Sequence, residues 1–130
     1  MESGKTFSAN FKKRVYKLDL EIIAVIDKMP NNDFVSRRIS DQLLRSATSV
    51  LANYIEAQSA ISVKELIRYE NISLRSANES KLWVALLRDS NRLDKIKADL
   101  FLKELDEISK ILASSIIALR KKIKTKEEKV

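Results

Sequence analysis

The sequence predicts an all-α protein folded as an up-down-up-down four-helix bundle. Three observations carry this: scarce turn residues, long segments of helical apolar periodicity, and short breakers between them. One Gly and one Pro among 130 residues leave too few tight turns for a β-sandwich. An abundance of Leu, Ile, Ala, Lys and Glu favours helix. A chain of this length is expected to form one domain with its own core. The alternative is a three-helix domain with its fourth helix exchanged into a partner.

The first helix is expected over residues 8–28. Phe11, Val15, Leu18, Ile22, Val25 and Met29 recur every three or four residues, an apolar seam of heptad type. Pro30 and the following "NND" end it. A second helix is expected over 36–58, with Ser36 as N-cap. One stripe is Ile39, Leu43, Ser46, Val50, Asn53 and Ala57, and a second is Leu44, Thr48, Leu51 and Ile55. Two stripes predict neighbours on more than one side.

The third helix, expected over 62–90, has the clearest start. Ser62 with Glu65 is a capping box, and Ile61 with Leu66 a hydrophobic staple. One stripe is Tyr69, Ile72, Ser76, Glu79, Trp83 and Leu86, and the other Leu66, Ser73, Ala77, Ser80, Val84 and Leu87. Both narrow to small residues at mid-helix, so helices 2 and 3 are expected to approach closely there. The fourth helix is expected over 95–122, with a seam of Phe101, Leu105, Ile108, Leu112, Ser115, Leu119 and Ile123. The charged tail "RKKIKTKEEKV" is expected to fray.

Composition narrows the function. With no Cys and no His, thiol nucleophiles, disulfides, the usual zinc sites and histidine acid–base catalysis are excluded. No cofactor or metal is expected. No apolar run is long enough to cross a membrane, and "MESGKTFSANFKKR" lacks the apolar middle of a signal peptide. The expected location is therefore the cytoplasm. Lys and Arg outnumber acids 25 to 18, giving +7, which points to a polyanionic partner or to a merely solvated surface.

Three stretches carry a resemblance. They are "RSATSVLANYIE" (Arg45–Glu56), "KELIRYENISLRSANESKLW" (Lys64–Trp83) and "EISKILASSI" (Glu107–Ile116). Together they resemble the bacterial four-helix-bundle family encoded in intervening sequences of large-subunit (23S) ribosomal RNA genes. The likeness spans about Val15 to Leu119. Many members have Gly after the Glu of the second helix, where this chain has Ala57. Ala favours helix by about 1 kcal/mol over Gly, so the second helix is expected to run longer here. The resemblance implies a homo-oligomeric ring, commonly a pentamer, with no established enzymatic activity. The accessory proteins of diversity-generating retroelements are similar in fold, and form basic pentameric barrels that bind nucleic acid and a reverse transcriptase.

Two sets of residues stand out. Asn53, Glu56, Arg75 and Glu79 interrupt apolar stripes and are read as a partly buried polar cluster joining helices 2 and 3 or adjacent subunits. A buried carboxylate needs a partner such as Arg75. Whether these residues face the core or a neighbouring subunit stays open, and a catalytic carboxylate pair is the lesser alternative. The basic residues Arg37, Arg38 and Arg45, Lys64, Arg68 and Arg75, and Lys121 and Lys122 are candidates for phosphate contact. Lys12, Lys13, Arg14 and Lys17 form a further basic group on helix 1. Repeated around a ring, such a patch becomes a belt that binds RNA or DNA with little sequence preference. Tyr69 and Trp83 are read as core, leaving no stacking platform. The competing function is a scaffold that docks protein partners, its charge serving solubility alone.

Overall fold

The computed structural model describes residues 4–30 and 33–129, with side chains as far as Glu127. Four helices follow in order: α1 (Gly4–Asp27), α2 (Phe34–Gln58), α3 (Val63–Asp89) and α4 (Lys95–Lys129). Contacts between side chains give the topology. Ser8 at the start of α1 donates to Gln58 at the end of α2 (2.9 Å), and Phe11 meets Tyr54 with ring centroids 4.7 Å apart. Ser46, Ser49 and Val50 meet Ser80, Ser76 and Ser73 in descending order, so α2 and α3 are antiparallel. Asn78, Lys81 and Arg88 meet Ser109, Asp106 and Asp99, so α4 runs back again. The bundle is up-down-up-down.

The α1 seam is as predicted over Phe11, Val15, Leu18 and Ile22, all buried, while Val25 and Met29 are half-buried. On α2, Leu43, Ser46, Val50 and Ala57 face the core. The second α2 stripe does not: Leu44 and Leu51 are half-buried, and Thr48 and Ile55 exposed. On α3 the core stripe is Ser73, Ala77, Ser80, Val84 and Leu87. The companion stripe of Tyr69, Ile72, Ser76, Glu79 and Trp83 is half-buried along the outer α2/α3 seam, and Leu86 is exposed. Trp83 packs on the core edge rather than within it, because its indole N–H donates to Glu79 (3.1 Å). On α4 the buried line ends at Ile116, and Ser115, Leu119 and Ile123 are half-buried.

Several boundaries differ from expectation. The N-cap of α2 is Asp33, which accepts from the Val35 N–H (3.1 Å). Ser36 lies inside the helix and donates to Asp33 Oδ2 (2.6 Å). Asp33 is as good a cap, and Arg92 Nε fixes it at 2.7 Å. Asn31 and Asn32 of the predicted breaker lie outside the described residues. Ser62 does cap α3, accepting from the Glu65 N–H (3.1 Å). The staple does not form, because Ile61 is 92% exposed. Helix α1 begins at Gly4 rather than Ser8, with Phe7 beside Ile111 of α4. Helix α4 continues to Lys129 instead of ending near Lys122, because no breaker follows and Lys and Glu are good helix formers. The turn before α4 places Asn91 at φ 61°. Asn tolerates this left-handed conformation after a helix end.

The closest packing is between α2 and α3. Ser46 Oγ lies 2.8 Å from Ser80 Oγ, Ser49 Oγ 2.9 Å from Ser76 Oγ, and Ser73 Oγ donates to the Val50 carbonyl at 2.7 Å. Ser46, Ser73 and Ser80 are wholly enclosed. Ser80→Leu is therefore expected to force the helices apart and lower unfolding free energy by at least about 1–3 kcal/mol in urea denaturation. Unchanged stability would show that the seam does not constrain the bundle.

Candidate nucleic-acid interface

Antiparallel packing gathers charge at one end of the bundle. The start of α1, the end of α2, the start of α3 and the end of α4 share that end. They bring Lys5, Lys64, Arg68, Arg120, Lys121, Lys122, Lys124 and Lys126 together, with Lys12 and Lys13 a few turns along. Among the described side chains, Glu56, Glu65 and Glu127 are its exposed or half-exposed acids. At the opposite end Lys28, Arg37, Arg38, Lys95 and Lys97 are interspersed with Asp27, Asp41 and Asp94, and two further bases are matched by ion pairs. Arg88 pairs with Asp89 and Asp99, each at 2.8 Å, and Arg92 pairs with Asp33. Hydrogen bonds from Arg92 and Ser36 hold the Asp33 carboxyl well below its usual range.

The predicted phosphate contacts therefore divide. Lys64, Lys121 and Lys122 are exposed at the basic end and pair with no described acid. Arg68 is exposed there too, its guanidinium stacked 4.6 Å over the Tyr69 ring. Arg75 is exposed farther along α3. Arg37 and Arg38 belong to the opposite end. Arg38 lies over the Phe34 ring at 5.9 Å, and Arg37 lines a groove with Met29, Pro30 and Asp41. Arg45 is bound by Glu79 and Gln42, and Arg14 by Glu104 and Glu107, so both are partly neutralised within the chain. The α1 basic group thus reduces to Lys12, Lys13 and Lys17.

Within one chain the predicted polar cluster does not assemble. Glu79 is held by Arg45 and Trp83, not by Arg75. The Asn53 amide donates back to the Ser49 carbonyl and hydroxyl, both at 3.0 Å, while Glu56 and Arg75 point to solvent. Asn53 and Glu79 border the outer α2/α3 seam. The Tyr69–Trp83 stripe lies at the margin of the core, which separates Glu79 from Arg75.

Two buried carboxyls escaped sequence reasoning. Glu70 is 5% exposed, and its Oε1 has no hydrogen-bond partner. Burial raises its pKa, only partly opposed by the Ser115 hydroxyl. Asp19 is 7% exposed beside an apolar groove of about 360 Å3 between α1 and α2, walled by Tyr16, Leu20, Ile23, Leu51 and Ile55. Desolvation raises its pKa to about 7. The available signal was the i, i+4 pairing of Asp19 with Val15, which puts it at the edge of the α1 seam. Among the described residues no group of three or more acids is placed to hold a metal ion.

The family model for the 23S rRNA-intervening sequence protein matches residues 9–114. The chain belongs to that family. Among solved structures it is similar to a protein of unknown function from the S23 ribosomal protein family of Bacteroides thetaiotaomicron. The two share 31% identity over 82% of this chain and 97% of the other, with a TM-score of 0.74. Among curated proteins none matches. The family and its bundle are as the resemblance implied.

Asp19 has a consequence for pH. Its folded pKa lies above the ordinary value, so the protonated form favours folding. That stability is fully present below about pH 4 and is lost as pH rises through about 7. Its loss is on the order of 4 kcal/mol. Glu70 acts with the same sign. Asp19→Asn should flatten the decline in stability measured by urea unfolding between pH 4 and 7; an unaltered profile would assign the dependence to other groups.

Proposed function

We propose that this family member is a non-enzymatic, self-associating bundle protein that binds nucleic acid, or a nucleoprotein partner, through its basic end. The observation that carries this reading is the asymmetry of charge. At one end Lys64, Lys121 and Lys122 pair with no described acid, whereas at the other Arg88 and Arg92 are satisfied within the chain. Lys64 and Arg68 sit one turn apart near the start of α3, and the end of α4 repeats basic residues from Arg120 to Lys126. Such a surface suits phosphate backbone rather than base edges. Each copy carries +7, so a pentamer, the assembly favoured by the resemblance, would carry about +35 and a strong attractive field. A location in the cytoplasm accords with this reading.

A scaffold that docks protein partners is the second reading. The exposed apolar groove between α1 and α2 favours it, since such a surface is costly to leave in water.

Fluorescence anisotropy with mixed-sequence RNA and DNA over a salt series tests the first reading. Expected is binding whose logarithm falls linearly with log salt, by about 0.9 per phosphate contact for duplex. Charge reversal at Lys64, Arg68, Lys121 and Lys122 should weaken binding at least about tenfold, equally for all sequences. Reversal at Arg37 and Arg38 should have a smaller effect. No binding near physiological salt would overturn the nucleic-acid reading and leave the scaffold.

A further inference from the structure

One groove and one helix stripe on this molecule are complementary. The groove lies between α1 and α2. Tyr16 is 57% exposed on its wall and Leu20 51%. Asp19 is buried beside them, and no described residue gives it a hydrogen bond or ion pair. Helix α2 contributes only Thr48, Leu51, Ala52 and Ile55 to the wall, so no cation answers the carboxyl from there. The titratable neighbours are Tyr16 and, at the far end of the groove, Lys12 and Lys13.

The stripe lies on α4. Ile96, 74% exposed, and Leu100, 59% exposed, are followed by Lys103 at helical spacing on one outward face. Among the described residues no acid pairs with Lys103. A carboxyl without a cation thus lies in an apolar groove, and a cation without an acid lies on an apolar stripe. The two sit on different faces, so one chain cannot join them to each other.

We propose that the α1/α2 groove is the seat for α4 of a second copy, with Ile96 and Leu100 in the groove and Lys103 against Asp19. The stripe runs antiparallel to α1. At 1.5 Å per residue, Lys103 opposite Asp19 places Leu100 beside Leu20 and Ile23, and Ile96 level with Ile26. The ammonium supplies the partner that the buried carboxyl lacks, while apolar surface on both helices leaves water. The contact is heterologous: each copy offers a groove on one face and a stripe on another, so association continues until a ring closes. This rests on the reading of the chain as self-associating, and does not depend on nucleic-acid binding.

The chain has no cysteine, so cross-linking can be placed at will. Oxidation of Ile23→Cys/Leu100→Cys should give a ladder of multimers on a non-reducing gel, and Ile23→Cys/Ile117→Cys should not. Lys103→Glu, at an exposed position, should weaken assembly at least about tenfold in sedimentation velocity without changing the helical circular dichroism signal. A wild-type oligomer that yields no ladder and ignores Lys103→Glu would overturn the pairing but keep self-association. A wild-type monomer at high concentration would overturn both.

Discussion

The close approach of α2 to α3 is the constraint on which the rest depends. Two helices of this length could pack at many separations. Ser46, Ser49, Ser73, Ser76, Ala77 and Ser80 select the nearest, because no bulky side chain intervenes. The hydroxyls then satisfy one another or a backbone carbonyl, so their burial leaves no lost hydrogen bond. The remaining elements are arranged around this pair. Helix α4 lies against α3 through Asn78–Ser109 and the Leu105, Ile108 and Leu112 line. Helix α1 lies against α2 through Phe11 and Tyr54.

Helices α1 and α4 share the apolar core, with Phe7 and Phe11 beside Ile111, and add an ion-paired rim of Arg14 with Glu104 and Glu107. The pairs are partly exposed, and exposed pairs contribute little. The inner face of α1 is as buried as those of the other helices. The α1 side carries the features that a structural core would avoid: Asp19 without a partner and a row of exposed apolar groups.

Much of the fold was legible from periodicity. The α1 seam, the Ser62 cap and the turn at Ser90–Asn91 follow from side-chain chemistry within a few residues of each position. The candidate site was legible only as a set of residues. Lys64, Lys121 and Lys122 were identifiable as basic, but their convergence at one end required the antiparallel order of the helices. Within one chain the polar cluster does not assemble, for a related reason. On a helix with two stripes, the sequence offers no way to tell which faces the core. The stripe through Ser73 and Ala77 faces inward because smaller side chains permit the closer backbone approach, leaving Tyr69, Glu79 and Trp83 at the margin.

The sequence by itself determined the number of helices, their main apolar seams, the net charge and the exclusion of thiol and imidazole chemistry. Each depends on residue type and local spacing, which the chain carries regardless of its neighbours. Only the tertiary structure decided that Glu79 pairs with Arg45, that Asp19 and Glu70 are dehydrated, and that the basic residues divide between two ends. Those outcomes depend on which helices lie side by side and at what level. An ionisable group's partner and its access to water are properties of that packing, not of its position in the chain.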